Sequence, residues 1–209
     1  MDEIRIVYTV GHSNIEIDTF IGILKKHSIT CIADVRSAPY SKYAPQFNKE
    51  NLRQILEKNA IAYSFIGKEL GARQNRPELF DSQGRLIYSE YQKTEQFRAG
   101  IERLKEGINK GYRIAIMCSE ADPFLCHRFI MVSSYLVYNG FIVRHILHEG
   151  SVIDNSQLEE KLLEKFKKIL PRKNLFENNV TKDMQLAEAY KLANEKIAFK
   201  NEDDGGAID

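Results

Sequence analysis

Residues 114–128 have the sequence IAIMCSEADPFLCHR, in which an apolar run precedes two cysteines, two acids, a histidine and an arginine. The run at 114–117 predicts a buried strand, and the apolar residues after Arg128 predict a helix that ends at Gly140. Open α/β sheets bind their ligands at such strand-to-helix turns. This stretch therefore predicts both the fold class and the position of a functional site.

Strand-like and helix-like segments alternate on both sides of this stretch. Strands are predicted at 4–10, 31–35, 61–66, 114–117 and 141–147, and helices at 18–27, 48–59, 90–109 and 129–140. Such alternation requires crossover connections, which favour parallel pairing. The strands are apolar on both faces, as strands between two helical layers are. We expect an α/β fold with a mostly parallel central sheet, helices on both faces and a C-terminal helical extension.

After Gly150 the alternating strands and helices are followed by helical patterns rich in Lys and Glu. Residues 1–150 form the predicted α/β domain, and 151–209 form the predicted helical extension, with helices at 157–170 and 182–198. The chain ends in an acidic, glycine-containing tail from residue 201, which we expect to be disordered. The helices of the extension are the candidates for an oligomer contact.

Composition excludes several classes of protein. A formal net charge of +1 over 209 residues gives no global attraction to nucleic acid or membrane. No apolar stretch approaches the roughly 20 residues of a membrane span, and the acidic N-terminus does not resemble a signal peptide. Three cysteines do not make a disulfide framework. We therefore expect a cytoplasmic protein with no membrane partner.

Polar residues follow the predicted strands at their carboxyl ends. They form four groups, which are Gly11-His12-Ser13, Asp34-Val35-Arg36-Ser37, Lys68 with Arg73, and the segment from Cys118 to Arg128. Because parallel strands end at the same edge of a sheet, we expect these groups to line one crevice. Cys31 opens its strand, roughly 13 Å from that edge. We expect Cys31 to be a core residue.

The side-chain chemistry of these groups suggests their roles. The catalytic candidates are His12, Asp34, Cys118 and Glu120. The ligand-binding candidates are Gly11, Ser13, Arg36, Ser37, Lys68, Arg73, Cys126, His127 and Arg128. No residue is assigned to a metal, and the sequence requires no cofactor.

The turn before the predicted helix at 129–140 has more than one interpretation. Asp122-Pro123 predicts an N-cap followed by the first helical residue, which places 126–128 in or near the first turn. A helix N-terminus and a nearby arginine favour a thiolate. The same turn could hold an anion such as a phosphate. A structural alternative pairs Arg128 with the carboxylate of Glu120 or Asp34.

Known cysteine motifs do not match this turn. A protein-tyrosine-phosphatase loop requires an arginine where this chain has Phe124, and no glycine-rich backbone follows Cys118 as in a rhodanese loop. The strand at 32–36 does resemble a rhodanese strand. Cys118-x-Glu120 and Pro123-x-x-Cys126 resemble part of the zinc-deaminase signature, but its second cysteine pair is missing. Cys118, Cys126 and His127 could in principle ligate a metal, but the standard zinc spacings are absent.

The motifs in their order along the chain resemble the domain-of-unknown-function 488 family. The residues that carry the resemblance are Thr9-Val10-Gly11-His12-Ser13, Asp34-Val35-Arg36-Ser37-x-Pro39-x-Ser41, Pro45-x-Phe47, 67–73, and Cys118-x-Glu120-x-x-Pro123-x-x-Cys126-His127-Arg128. The resemblance covers about residues 6–150 and implies a Rossmann-like α/β domain in a bacterial or archaeal cytoplasmic protein. Ala72 departs from the family pattern, which has a second glycine there. The resemblance implies little about activity.

Three functions are compatible with these residues. The leading hypothesis is an enzyme acting on a phosphate-bearing small molecule or nucleic-acid component, with Arg36, Lys68, Arg73 and Arg128 contacting the anion. The second is a thiol-based sulfur-transfer or redox protein that uses Cys118 and Cys126. The third is a non-catalytic module that binds nucleic acid or another ligand. The partner is accordingly an anionic small molecule or a nucleic acid in the first and third cases.

Overall fold

The structure, a computed structural model, describes residues 5–172 and 179–200, so the predicted disordered tail lies outside the described residues. Its central sheet has the strand order β3-β2-β4-β1-β5-β6. The strands are β1 (Ile6–Gly11), β2 (Cys31–Asp34), β3 (Ala62–Phe65), β4 (Ile114–Cys118), β5 (Ile142–Ile146) and β6 (Val152–Asp154). The first five pair in parallel, and β6 is antiparallel to β5. The predicted α/β fold with a mostly parallel sheet is confirmed.

Helices connect the strands and follow the sheet. They are α1 (Ile17–Lys26), α2 (Lys49–Lys58), α3 (Gly67–Leu70), α4 (Tyr88–Tyr91), α5 (Glu95–Asn109), α6 (Ser134–Tyr138), α7 (Asn155–Phe166) and α8 (Lys182–Ile197). The helix predicted at 90–109 is present over Glu95–Asn109, but its predicted start is wrong, because the chain turns between α4 and α5. Thr94 caps α5 there by accepting a hydrogen bond from the backbone N–H of Phe97. Within residues 5–172 and 179–200, no helix has both the length and the apolar character of a membrane span.

The helices bury apolar side chains on both faces of the sheet. α1 and α2 cover one face with Phe20, Leu24, Leu52 and Leu56. The other face is covered by α5, by the helical segment at 128–138 and by α7 and α8. Each fully buried Leu or Phe contributes about 1.5–3 kcal/mol to folding, so these faces account for much of the stability.

The C-terminal helices belong to this second layer. Leu158, Leu162 and Phe166 of α7 and Ala189 and Ala193 of α8 are buried in the same core as the sheet. Their apolar positions are therefore used within the chain. An oligomer contact through these helices stays a prediction.

The segment that follows β4 does not form the helix start that the sequence predicts. Asp122 caps a single 3-10 turn, Pro123–Leu125, and the chain is extended at Cys126 (φ −128°, ψ 143°). Helix resumes as a π-helical segment, Arg128–Ser133, which continues into α6. The hydroxyl of Ser133 donates to the carbonyl of Arg128, at 2.7 Å and five residues away. Asp122 and Pro123 therefore begin a 3-10 turn and not the predicted helix itself, and residues 126–128 lie near the start of the π-helical segment, with only Arg128 inside it.

Candidate functional site

Three neighbouring strands bring the predicted polar residues to one edge of the sheet. In the parallel register, Gly11 of β1 lies opposite Cys118 of β4, and Asp34 of β2 lies opposite Met117. The backbone N–H of His12 donates to the carbonyl of Cys118 at 3.1 Å. Residues that are far apart in the chain thus become neighbours at the carboxyl ends of β2, β4 and β1.

Gly11 has a packing role at this edge. A β-carbon at position 11 would lie 1.8 Å from the carbonyl oxygen of Glu120, closer than any side chain allows. Only glycine therefore permits the loop after β4 to cross the end of β1. Ser13, two residues later, has a positive φ of 46° and donates its backbone N–H to the carbonyl of Ser119 at 2.8 Å. Both residues hold the loop against β1.

Four side chains of this loop converge, and we call them the thiol cluster: Cys118, Glu120, Cys126 and His127. Their ligand-type atoms all lie within 4.8 Å of one another. Nδ1 of His127 is 3.6 Å from Sγ of Cys118 and 4.0 Å from Sγ of Cys126. Sγ of Cys126 is 2.9 Å from Oε2 of Glu120. The cluster could hold a cation or support thiol chemistry.

Burial differs across the thiol cluster. Cys118 and Cys126 are only 2% and 1% exposed, whereas the side chain of Glu120 is exposed. Nε2 of His127 is buried and has no hydrogen-bond partner among the described residues. The two sulfurs therefore lie beneath the surface, with Glu120 on the side that faces solvent.

Arg128 fixes the loop that carries the cluster. Its side chain is fully buried, with Nη1 donating to the carbonyl of Glu120 at 2.6 Å and Nη2 to the carbonyl of Ala121 at 3.0 Å. The alternative in which Arg128 pairs with a carboxylate of Glu120 or Asp34 is corrected, because its acceptors are backbone carbonyls. Its backbone N–H also donates to Sγ of Cys126 at 3.4 Å. Arg128 thus holds both ends of the loop.

The surroundings shift the pKa values of the two thiols in the cluster in opposite directions. Burial raises the pKa of the Cys118 thiol, and its interaction with Cys126 raises that pKa further. Burial opposes ionisation of Cys126, but the hydrogen bond from Cys118 and the charge of Arg128 lower the pKa of Cys126 below its ordinary value. Burial and the neighbouring Cys126 raise the pKa of Glu120. Cys126 is therefore the more acidic thiol, and Glu120 beside it keeps its proton to a higher pH than an ordinary carboxyl group does.

A second polar group lies beside the cluster, around Arg36. Nη2 and Nε of Arg36 donate to the two carboxylate oxygens of Asp34 at 2.6 and 2.9 Å, and Nη1 lies 3.0 Å from Nε2 of His12. The hydroxyl of Tyr63 donates to Asp34 at 2.7 Å. Arg36 and Asp34 are 5% and 0% exposed, so the pair is a buried ion pair. The sequence indicated no role for Tyr63, because tyrosine is common in strands.

His12 has its two ring nitrogens occupied by this network. Nδ1 bonds the carbonyl of Ser13 at 2.7 Å, Nε2 faces Arg36, and the ring stacks on Phe47 with centroids 4.2 Å apart. Burial, followed by the charge of Arg36, lowers the pKa of His12 to about 4. The imidazole is therefore neutral near pH 7, and catalytic roles for His12 and Asp34 stay predictions.

Of the remaining predicted ligand-binding residues, Ser37 follows β2, Lys68 lies in α3 and Arg73 follows α3. Oγ of Ser37 accepts the backbone N–H of Arg73 at 2.9 Å, and the guanidinium of Arg73 lies 5.4 Å from the ring centroid of Phe199. Lys68 is exposed. In the described part of the chain, no hydrogen bond or ion pair joins Lys68 or Arg73 to the thiol cluster. The structure therefore unites the residues after β4 with Gly11 and Ser13, and leaves these two cations outside that group.

The expected core position of Cys31 agrees with the structure. Cys31 begins β2 opposite Ile114, the first residue of β4, so it lies at the other end of the sheet from Cys118. Burial raises its pKa to about 11. Cys31 also lines a cavity of about 300 Å³ that contains none of the predicted site residues.

Comparison with known proteins assigns the chain to a family. No curated protein and no solved structure matches it. A family model described as Domain of unknown function DUF488 matches residues 16–136, more than half of the chain. The match includes Asp34, Arg36 and the whole thiol cluster, whereas His12 precedes it. The chain therefore belongs to the family of Domain of unknown function DUF488.

Proposed function

We propose that this protein is a thiol-based redox protein in which Cys118 and Cys126 alternate between a dithiol and a disulfide. The observation that carries the proposal is the approach of both sulfurs, within 4.8 Å of each other, to the same nitrogen of His127. A disulfide has a sulfur–sulfur distance of about 2.0 Å, so its formation requires side-chain rotation and loop movement that bring the two sulfurs together.

The burial of the sulfurs favours a small oxidant. With 2% and 1% of their surfaces exposed, Cys118 and Cys126 cannot present themselves to the disulfide of a large partner without opening of the loop. A peroxide such as hydrogen peroxide is small enough to enter beside the exposed Glu120. A peroxide is therefore the oxidant class we assign.

Peroxide would oxidise the two thiols in two steps, first forming a sulfenic acid and then the disulfide. The thiolate of Cys126 attacks one peroxide oxygen, the O–O bond breaks, and the leaving hydroxide takes a proton to depart as water, which leaves a sulfenic acid on Cys126. The sulfur of Cys118 then attacks the sulfur of Cys126, the S–O bond breaks, and a second water leaves with the proton of Cys118. Two thiols and one peroxide become one disulfide and two waters.

The neighbouring groups serve these steps. The Arg128 backbone N–H, 3.4 Å from Sγ of Cys126, stabilises negative charge on that sulfur. Glu120 lies 2.9 Å from the same sulfur and is placed to hand a proton to the leaving hydroxide. His127, next to both sulfurs, is the nearest base for the proton of Cys118.

The anion-binding hypothesis receives less support from the geometry. Arg36 and Arg128 are buried and direct Nη groups to acceptors within the protein, while Nε of Arg128 has no hydrogen-bond partner among the described residues. Lys68 and Arg73 remain as exposed cations. Enzymatic action on a phosphate-bearing substrate and nucleic-acid binding therefore stay predictions.

Peptide mapping after peroxide treatment tests the proposal. The metal-free, folded protein is exposed to hydrogen peroxide, alkylated and digested, and we expect a Cys118–Cys126 disulfide that reductant reverses. In Cys118→Ser we expect Cys126 to accumulate as sulfenic and sulfinic acid, because the resolving thiol is gone. Cys31→Ala is the matched control, and it should form the same disulfide as the unaltered chain.

Two results would overturn the proposal. One is that Cys118 and Cys126 both stay reduced in the folded protein while a small free thiol in the same tube is fully oxidised. The other is a disulfide that includes Cys31, since that residue lies at the opposite end of the sheet.

A further inference from the structure

We infer that the thiol cluster binds a zinc ion, with Cys118, Cys126, His127 and Glu120 as its four ligands. The inference rests on the proposed function, because the zinc ion would bind the same two thiols when they are reduced. Zinc would then protect the dithiol, and oxidation to the disulfide would release the ion.

The distances within the cluster suit a tetrahedral ion. Zinc lies about 2.3 Å from sulfur and 2.0–2.1 Å from nitrogen, so neighbouring ligand atoms of a tetrahedral site are about 3.3–3.8 Å apart. Nδ1 of His127 lies 3.6 and 4.0 Å from the two sulfurs, and all four groups lie within 4.8 Å of one another. To complete the tetrahedron, the largest separation of 4.8 Å must close by about 1 Å, and the 2.9 Å between Sγ of Cys126 and Oε2 of Glu120 must open by about 0.6 Å.

The donor set distinguishes zinc from other common cations. Calcium and magnesium select sites built from oxygen, whereas two thiolates and an imidazole are typical ligands of zinc. A carboxylate is an accepted fourth ligand and is replaceable by water. Because Glu120 alone in the cluster is exposed, it marks the side from which the ion enters.

The protein around the cluster is organised as a metal site requires. The bonds from Arg128 to the carbonyls of Glu120 and Ala121 fix the loop before any ligand binds. The Arg128 backbone N–H directed at Sγ of Cys126 is the kind of contact that supports a metal-bound thiolate. Nε2 of His127 is buried with no hydrogen-bond partner in the described part of the chain, and the polar contacts of this ring are those of Nδ1 with the two sulfurs.

Cobalt and zinc binding test the inference. The reduced protein is stripped of metal and titrated with Co²⁺, and we expect a saturable sulfur-to-cobalt charge-transfer band with intense visible bands of tetrahedral cobalt, at one ion per chain. Zn²⁺ should displace the cobalt. Cys118→Ser and Cys126→Ser should each weaken binding roughly 100-fold, and Glu120→Gln roughly 10-fold with altered visible bands.

Matched substitutions outside the cluster control for general effects. Cys31→Ala removes the remaining thiol, and His148→Gln removes an exposed histidine, and neither should change the titration. The inference is overturned when the folded, reduced chain shows no charge-transfer band, or when the band survives in both cysteine variants.

Oxidation of the zinc-loaded protein separates this inference from the proposed function. With a colorimetric chelator present, peroxide should release one zinc as the disulfide forms. A disulfide without any bound metal refutes the zinc site alone. Bound metal with no Cys118–Cys126 disulfide, in either loaded or metal-free protein, refutes the redox function alone.

Discussion

The carbonyl oxygen of Glu120 occupies the space in which Gly11 would carry a side chain, 1.8 Å from the position of a β-carbon. The contact is between backbone and backbone, so no side-chain rotation can relieve it. The end of β1 thereby determines where the loop after β4 can lie.

Replacing Gly11 by alanine should displace that loop. We expect Gly11→Ala to lower the free energy of unfolding by about 3 kcal/mol, because the backbone must shift to accept the methyl group. Urea denaturation measures the loss. Gly22→Ala is the control, since a β-carbon there meets nothing within 4 Å and should stabilise α1 by up to about 1 kcal/mol. Equal effects at the two glycines would contradict the role given to Gly11.

Arg128→Lys should release the loop while keeping the positive charge. One ammonium cannot reproduce the two bonds to the carbonyls of Glu120 and Ala121, so we expect a loss of about 2–4 kcal/mol in unfolding free energy. Alkylation of Cys118 and Cys126 by iodoacetamide should become faster under native conditions. Arg53→Lys, at an exposed helical ion pair, should change stability by about 0.5 kcal/mol or less. Unchanged alkylation in Arg128→Lys would show that another group fixes the loop.

The buried ion pair of Asp34 and Arg36 should be sensitive to loss of one partner. Arg36→Met leaves the carboxylate of Asp34 buried with Tyr63 and a backbone N–H as its remaining donors among the described residues, and should lower the free energy of unfolding by about 3–5 kcal/mol. Tyr63→Phe removes one hydrogen bond and should cost about 1 kcal/mol. Thermal and urea denaturation of both variants give the comparison, and a larger loss in Tyr63→Phe would argue against a charged pair.

Stability should fall as the pH is lowered from 6.5 toward 4, because of His145. Its ring lies fully buried between Thr9 and Asn155, and burial lowers its pKa from 6.5 to about 4. Between these values the unfolded chain binds a proton that the folded chain does not, so the destabilisation grows as the pH falls and reaches of order 3 kcal/mol by pH 4. His12, with its pKa also near 4, adds a loss of the same sign.

Urea midpoints measured from pH 7 to pH 4.5 check this expectation. His145→Asn should lower stability at pH 7 yet reduce the slope of stability against pH. His148→Gln, at an exposed position, should leave the slope unchanged. A slope that His145→Asn does not alter would mean that the ring is already charged in the folded protein.

Much of the fold could be predicted from the sequence. The strands are short apolar runs at regular intervals, and runs such as 114–117 are long enough to identify without an alignment. Val152–Asp154 was not identified, because three residues carry little periodicity and the strand exists through its pairing with β5. The break at Thr94 was also missed, since the apolar spacing continues across it and the cap alone ends the repeat.

The site could be predicted only in part. Parallel pairing was enough to bring His12, Asp34 and Cys118 to one edge, since that follows from strand direction. Cys118, Cys126 and His127 were predicted to share one segment of the site, but their close approach to one another and to Glu120 could not be predicted, because their spacing matches no metal or redox motif. It depends on the space left by Gly11 and on the bonds of Arg128 to a loop eight residues away. Such long-range constraints leave no periodic signal in a single sequence.

The π-helical segment Arg128–Ser133 determines which way Arg128 faces relative to the core. It contains the equivalent of one residue more than an α-helix would use to reach Ser134, and all six of its residues are buried, including Arg128, whose guanidinium contacts the loop. Removing that residue would rotate one side of the helix by roughly 100° against the other. The orientation of Arg128 thus depends on the number of residues in this segment, and a point substitution does not change that number. Inserting or deleting one residue in the segment would move the arginine away from its loop without altering any other side chain.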